Sequence, residues 1–425
     1  MKTIVRRSAA IGIFFGLLAG AAPLSFSQPQ LEHCQRFSDL LVVTARRKTL
    51  AELAAQELDG VDASNFADFL RISPWEADDL RIPLFVFILR YLASRGIDPK
   101  EALFLTSDDS LAIKDKDTHK LDTVDWHFDH NRKRSVKASN HVVLGIHWGG
   151  FHFPLLWRLY LRAATVRKLN KKRKGKKLRY YSKLELTQQM LEQVLPYLPA
   201  ERRVYVLFDS WYTSAKLVKW IRSQGWHVIA GLKSNRKVSG QKLTDWHHAF
   251  KGRRYQRVAV ALANGRQRTY YVRDLQGRLK GVPGEVRILI SQKAPGARAP
   301  RYFLCTDTTV PVTDILNWYQ KRWHQEVDYW FVKLELGLAD FRVQSYEAIA
   351  KWYAVVYSVL VYLYWRRYES AATPQQATSL SEVLAEIRQQ HQQEVLRSAC
   401  EEVAAGTPIA AVLAKYLGTA ERPAA

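Results

Sequence analysis

Cysteine is scarce in this chain. Only Cys34, Cys305 and Cys400 occur in 425 residues. They are too far apart for a CxxC pair or a disulfide framework, so neither structural zinc nor thiol chemistry is expected. Acid is also in deficit, with 40 Asp and Glu against 64 Lys and Arg, for a formal charge of +24. That balance argues against an acidic, cation-buffering surface and points to a polyanionic partner, although cationic secreted proteins and proteins held at anionic membranes share it. Long hydrophobic runs are missing too. The longest, Ala9 to Leu24, is short and broken by glycine, which argues against a membrane span. With Lys2, Arg6 and Arg7 before it, this run imitates a secretory signal peptide. We expect it to stay on the protein as a cytosolic N-terminal helix.

What is present suffices for two to four domains with buried cores, since 47% of the residues are hydrophobic. From about Leu31 to Arg95 the apolar spacing is helical, with a turn at Asp62 to Asn65, so residues 1–105 are expected to form a helical, DNA-binding region or a plain packing module. Beyond Ser110 the pattern changes. Apolar strand-like runs at Leu111 to Ile113, His141 to Ile146 and Leu155 to Leu161 are followed by a helix at Lys183 to Leu195 and a strand at Val204 to Phe208. A helix at Ser214 to Ser223 and a strand at His227 to Leu232 come next. That order predicts an α/β fold with a ribonuclease H-like mixed sheet at 106–345. A β-rich insertion at about 234–300 and C-terminal helices at 346–425 complete the expected organisation.

Asp209 directly follows the apolar run VYVLF, at the carboxyl end of an expected central strand, where open α/β sheets place catalytic groups. It would also serve as a helix N-cap. The stretch from Thr313 to about Gly337 is expected to form one long helix, on which Tyr319, Arg322, Glu326 and Lys333 fall at about 0°, −60°, −20° and −40°. One carboxylate flanked by two cations and a phenol suits a metal-binding acid among phosphate-binding groups, and it equally suits a solvated ion-paired face. Asp328 and Glu335 point the other way. The run from Arg167 to Lys183, with Lys171, Lys172, Arg173 and Lys174 at its heart, is expected to be a basic loop contacting phosphates or simply solvated.

The spacing Y-QK-R-WHQ-E-VDYWFV-K resembles the signature of insertion-sequence transposases of the IS-four superfamily. The flanking segments LFDSWYTS, GLKSNRKV, FHFPLLWRLYLR and LGLADFRVQS look similar to that family as well. The resemblance implies a DDE transposase with a ribonuclease H-like catalytic domain, cleaving and rejoining DNA at the ends of its element. Asp209 and Glu326 would then be catalytic acids, and Tyr319, Arg322 and Lys333 would grip the DNA backbone.

Members of that family show Asp-Asp-Thr or Asp-Asp-Ser at the end of the first strand. The segment I-K-D-K-D-T offers Asp115, two residues past Ile113, as the first acid, with Asp117 beside Thr118 as the alternative. The implied triad Asp115, Asp209 and Glu326 would hold Mg2+, as two ions, with Mn2+ able to substitute. Implied partners are the inverted-repeat ends and target DNA, with a homodimer at the synapsed ends, in the cytoplasm and nucleoid. A catalytically impaired, DNA-binding descendant of a transposase and a secreted cationic hydrolase stand as alternatives. His127, Asp129 and His130 have no further ligand at suitable spacing and are expected to be strand or turn residues.

Overall fold

The apolar stretches of the first hundred residues coil into five helices in the computed structural model: α1 (Ala9–Ala21), α2 (Gln28–Val43), α3 (Leu50–Ala54), α4 (Ala63–Arg71) and α5 (Ala77–Ala93). The structure describes residues 9–45, 47–57, 62–198, 201–250, 255–261, 265–294, 297 and 299–417, so Lys2, Arg6 and Arg7 lie outside the described residues. Ser27, Thr49 and Asp62 start α2, α3 and α4 by accepting first-turn amide hydrogens on their side-chain oxygens. The turn expected at Asp62 to Asn65 is thus the opening turn of α4. The signal-like run is α1, whose Ile11, Phe14, Phe15 and Leu18 are buried. Phe14 meets the rings of Phe87, Tyr362 and Trp365.

Among the described residues, ten strands share one mixed sheet. The first four are β1 (Leu103–Ile113), β2 (Val124–Asp129), β3 (Arg134–Trp148) and β4 (Phe151–Tyr160). After α6 (Ala163–Lys172) and α7 (Lys183–Val194) come β5 (Val204–Phe208), α8 (Ala215–Ser223) and β6 (His227–Leu232). β1, β5 and β6 run parallel, β3 pairs antiparallel with β1, and β2 and β4 both pair with β3. This is the mixed sheet expected of a ribonuclease H-like core.

The boundary expected at residue 105 falls inside β1, which begins at Leu103 and is far longer than the run Leu111 to Ile113 suggests. Its middle, Thr106 to Ser110, is polar, so the apolar alternation is interrupted there.

The β-rich segment is not a separate module. After the small hairpin β7 (Lys237–Val238) and β8 (Gln241–Lys242) and the helix α9 (Leu243–Ala249), strands β9 (Gln256–Ala261), β10 (Gln267–Gly277), β11 (Val286–Gln292) and β12 (Arg301–Cys305) extend the central sheet. Its order is β2, β3, β1, β5, β6, β12, β11, β10, β9. β12 closes on β6 with Leu304 opposite Ala230, joining the apolar runs of both segments.

The single long helix expected from Thr313 is two, α10 (Val312–Gln320) and α11 (Trp323–Leu334). At Lys321 and Arg322 the backbone tightens to hydrogen bonds three residues apart, Lys321 N–H to Trp318 O and Arg322 N–H to Tyr319 O. α12 (Tyr346–Glu369), α13 (Leu380–Ala404) and α14 (Ile409–Leu417) end the described chain. α12 is long and apolar enough to cross a membrane, yet it lies almost wholly inside the protein.

The two faces of β1 look at different helices. Leu103 and Leu105 join the core under α7 and α8, whereas Phe104 joins a second core with Tyr205, Leu207, Phe303 and the α10 residues Ile315 and Leu316. Alternation then turns Ser107 and Asp109 toward α7, and Thr106 and Asp108 toward α10 and α11.

Candidate active site

Asp108 and Asp209 come level by strand register. β1 and β5 pair in parallel with Leu103 opposite Val204 and Thr106 opposite Leu207, and the same offset sets Asp108 beside Asp209, just past the end of β5. The third acid arrives on α11. Arg322 donates from Nη1 to Asp108 Oδ2 at 2.6 Å and from Nη2 to Glu326 Oε1 at 2.6 Å, so one guanidinium spans both carboxylates. Three acids remote in sequence thereby share one face of the sheet.

The supports around them are specific. Gln325 donates through Nε2 to the carbonyls of Thr106 and Val143, and Tyr329 donates its hydroxyl hydrogen to Asp108 O at 2.7 Å. Behind α11, Asp328 accepts from Tyr364 at 2.6 Å and pairs with His152 Nε2 at 2.7 Å. Asp328 therefore points away from Glu326, as the helix spacing predicts. Glu335 also points away, toward Arg388.

Asp209 accepts the Trp211 N–H at 2.8 Å and the Tyr212 N–H at 3.2 Å, folding its own turn. Ser214, not Asp209, caps α8. Gly231 carries no side chain where one would meet Ser210 N at 3.1 Å and the Tyr319 hydroxyl at 3.3 Å, which lets Tyr319 reach the Asp209 turn.

Charge is concentrated here. Burial pushes the Asp108 carboxyl up to about 7; Arg322 opposes the rise, and the carboxylates of Asp209 and Asp109 add to it. Burial would weaken the hold of Arg322 on its proton, but Tyr319, Asp108 and Glu326 outweigh it and raise its pKa. Lys333 is half-buried and its pKa is lowered by burial, against the attraction of Asp129 and Asp109. On the other face of β1, Asp109 accepts from Lys183 at 2.6 Å and from the Tyr212 hydroxyl at 2.9 Å, so its oxygens are engaged away from Glu326.

Asp115 and Asp117 are not brought to this place. Both are exposed in the loop after β1, with Asp115 seven residues and about 23 Å of extended strand beyond Asp108. The residue that sequence reasoning missed is Asp108. A signal for it exists, because Asp108-Asp109-Ser110 is the Asp-Asp-Ser cluster sought at Asp115. Apolar alternation marks the strand only from Leu111, which leaves that cluster outside it.

Of the basic run, Lys171 and Lys172 close α6 rather than lying in a loop, where lysine favours the negative end of the helix dipole. Arg173 pairs with Glu347, and Lys174 is exposed just beyond. Asp129 accepts the N–H groups of Asn131 and Arg132 in the turn after β2.

Among the described residues no three His, Cys, Asp or Glu side chains are grouped so as to hold a metal ion as they stand, because Arg322 lies between two of the acids. The donor set itself is all carboxylate oxygen, and the neighbouring carboxylates add to the rise that burial imposes on the pKa of Asp108. Both features fit a hard divalent cation.

Residues 28–269 match the family described as DDE superfamily endonuclease. No curated protein matches the chain. The matched stretch contains Asp108 and Asp209 and stops before α11. With more than half its length matched, the chain belongs to the DDE superfamily endonuclease family.

Proposed function

We propose that the protein is a DNA transposase that cleaves strands at the ends of its own element and transfers them to target DNA, with Asp108, Asp209 and Glu326 as the triad. The observation that carries this reading is the bridge of Arg322 between Asp108 on β1 and Glu326 on α11, at the level of Asp209. Asp108 replaces Asp115 and Asp117 as the first acid. The three acids would hold Mg2+, with Mn2+ able to substitute. A pair of such ions supplies an activated water or 3′-hydroxyl and stabilises the leaving oxygen in in-line attack at phosphorus.

The chain's own groups do the rest. Arg322 keeps Asp108 and Glu326 apart and neutralised until a phosphate competes for its guanidinium, whose fork suits phosphate as well as carboxylate. The Tyr319 hydroxyl at the end of α10 and the Lys333 ammonium on α11 hold the backbone on either side of the scissile bond. Substrate DNA, two copies at paired ends, and residence in the cytoplasm and nucleoid follow from this reading. The burial of α1 in the core supports its retention in the working protein.

The test is a supercoiled plasmid bearing the element, incubated with purified protein and Mg2+ or Mn2+. Nicking or excision is expected from the natural protein and from Asp115→Ala and Asp117→Ala. Asp108→Ala, Asp209→Ala and Glu326→Ala should each lose it while still binding the plasmid. Cleavage by Asp108→Ala would remove the triad. A natural protein that binds the ends but never cuts would favour the catalytically impaired, DNA-binding reading.

A further inference from the structure

One cleft of the described structure lies away from the three acids. It opens where β1 ends, between the loop of residues 114–121, the β2–β3 turn and residues 339–342 after α11, with a volume of about 940 Å³. Eight basic side chains line it against three acidic ones. Some of that charge is used internally: Lys114 donates to the carbonyls of Ala339 and Phe341, and Lys137 to Thr118 O. Lys116, Lys120, Arg134 and Arg342 are exposed, and no carboxylate holds them in an ion pair among the described residues. Trp126, 48% exposed, stands at the lip with the Lys137 ammonium 5.8 Å from its ring centre.

A second trough of about 680 Å³ shares His119, Lys120 and Leu121 with the cleft as lining residues, and that trough reaches Lys168 and Lys172 on α6. The cleft is also in line with the acids. β1 and α11 both leave the Asp108 and Glu326 level, and the Lys114 bonds to residues 339 and 341 tie the loops beyond them together. Six residues of strand from Asp108 to Lys114 span about 20 Å. At 3.4 Å per base pair that is about six base pairs of duplex.

We propose that this cleft is a second DNA-binding site, which takes the sugar-phosphate backbone of one strand of the duplex about six base pairs from the bond being cut. The inference rests on the transposase reading for its substrate and for its distance from the cut, whereas the cleft itself stands on its own lining. Four cations without carboxylate partners, set in a concave wall, favour a polyanion, and the offset along β1 makes the site a register clamp. It holds the DNA while Arg322 and the acids engage the scissile phosphate.

The test is the quadruple variant Lys116→Gln, Lys120→Gln, Arg134→Gln, Arg342→Gln in the full chain. Its four changes are exposed, so its melting temperature should match the natural protein. Binding to a fluorescein-labelled 30-base-pair duplex is measured across a potassium chloride series. The log-log salt slope is expected to fall by about 3 to 4, at about 0.9 for each phosphate no longer neutralised. Hydroxyl-radical footprints on element DNA should lose protection about six base pairs from the cut while protection at the cut persists. A natural protein that binds no duplex would overturn both this site and the transposase reading. A steep natural slope unchanged in the variant, or a weakening with no local loss of protection, would overturn the site alone.

Discussion

At the scale of single residues, Asp108 is the proposed first acid, and its environment makes a stability prediction. Its folded-state pKa of about 7 lies above that of an unfolded aspartate, near 4. The proton it holds therefore contributes stability that is fully present below about pH 4 and is lost as pH rises through about 7. Without divalent ions, urea midpoints of the natural protein should fall between pH 5 and 8, and Asp108→Asn should flatten that dependence. An unchanged slope in Asp108→Asn would mean that the burial of this carboxyl is not what the fold resists. The same residue shows what limits a reading of the sequence. Asp209 and Glu326 are legible because each follows an ordered pattern, an apolar run of five or a helical stripe. Asp108 sits inside a strand whose centre is polar, so a search for alternating apolar residues steps over it.

At the scale of elements, α11 is fixed from behind. Asp328 is buried, with hydrogen bonds to Tyr364 and His152, two residues after the proposed catalytic Glu326. Asp328→Ala would strand two buried polar partners, at a cost of about 3 kcal/mol or more, and loosen the helix that presents Glu326. Asp328→Asn keeps an acceptor for Tyr364. Cleavage on the plasmid should fall much further in the alanine variant than in the asparagine one, and equal activities would detach α11 placement from this pairing.

α1 is open to a direct test as well. Ile11, Phe14, Phe15 and Leu18 are each at most 2% exposed. Burial of four such side chains is worth about 6 to 12 kcal/mol, comparable to the whole stability of a domain. Deletion of residues 1–27 should therefore give insoluble or unfolded protein by circular dichroism, and a well-folded truncation would show that α1 is dispensable. Element type is readable from periodicity for β5, β6, α7 and α8, which match within a residue. The break between α10 and α11 is not, because it comes from tightened backbone hydrogen bonds at Lys321 and Arg322, and hydrophobic spacing carries no mark of those.

At the scale of the whole molecule, the sheet and the two helical regions share one interior. α12 packs on α2, α4, α5, α13 and β4, and its Trp352, Tyr353, Tyr357 and Leu360 have no exposed surface. The N-terminal helices thus bury their apolar faces against a helix from the other end of the chain, with the sheet beneath. Composition announces three regions, but it cannot say that the first and third cover one another, since that packing joins residues far apart in the chain. A fragment of residues 103–345 would expose the outer apolar face of β4, where Phe153 and Leu155 lie fully buried, along with the pocket that receives α12. It would also lose Tyr364, and with it one of the two bonds that hold Asp328 behind α11. The fragment is expected to aggregate or to bind a hydrophobic dye strongly, whereas the full chain should unfold in one calorimetric transition. Two separate transitions in the full chain, or a monomeric fragment that still cuts DNA, would show that the catalytic sheet stands without its helical cover. The active site would then depend on α11 alone and not on the layer behind it.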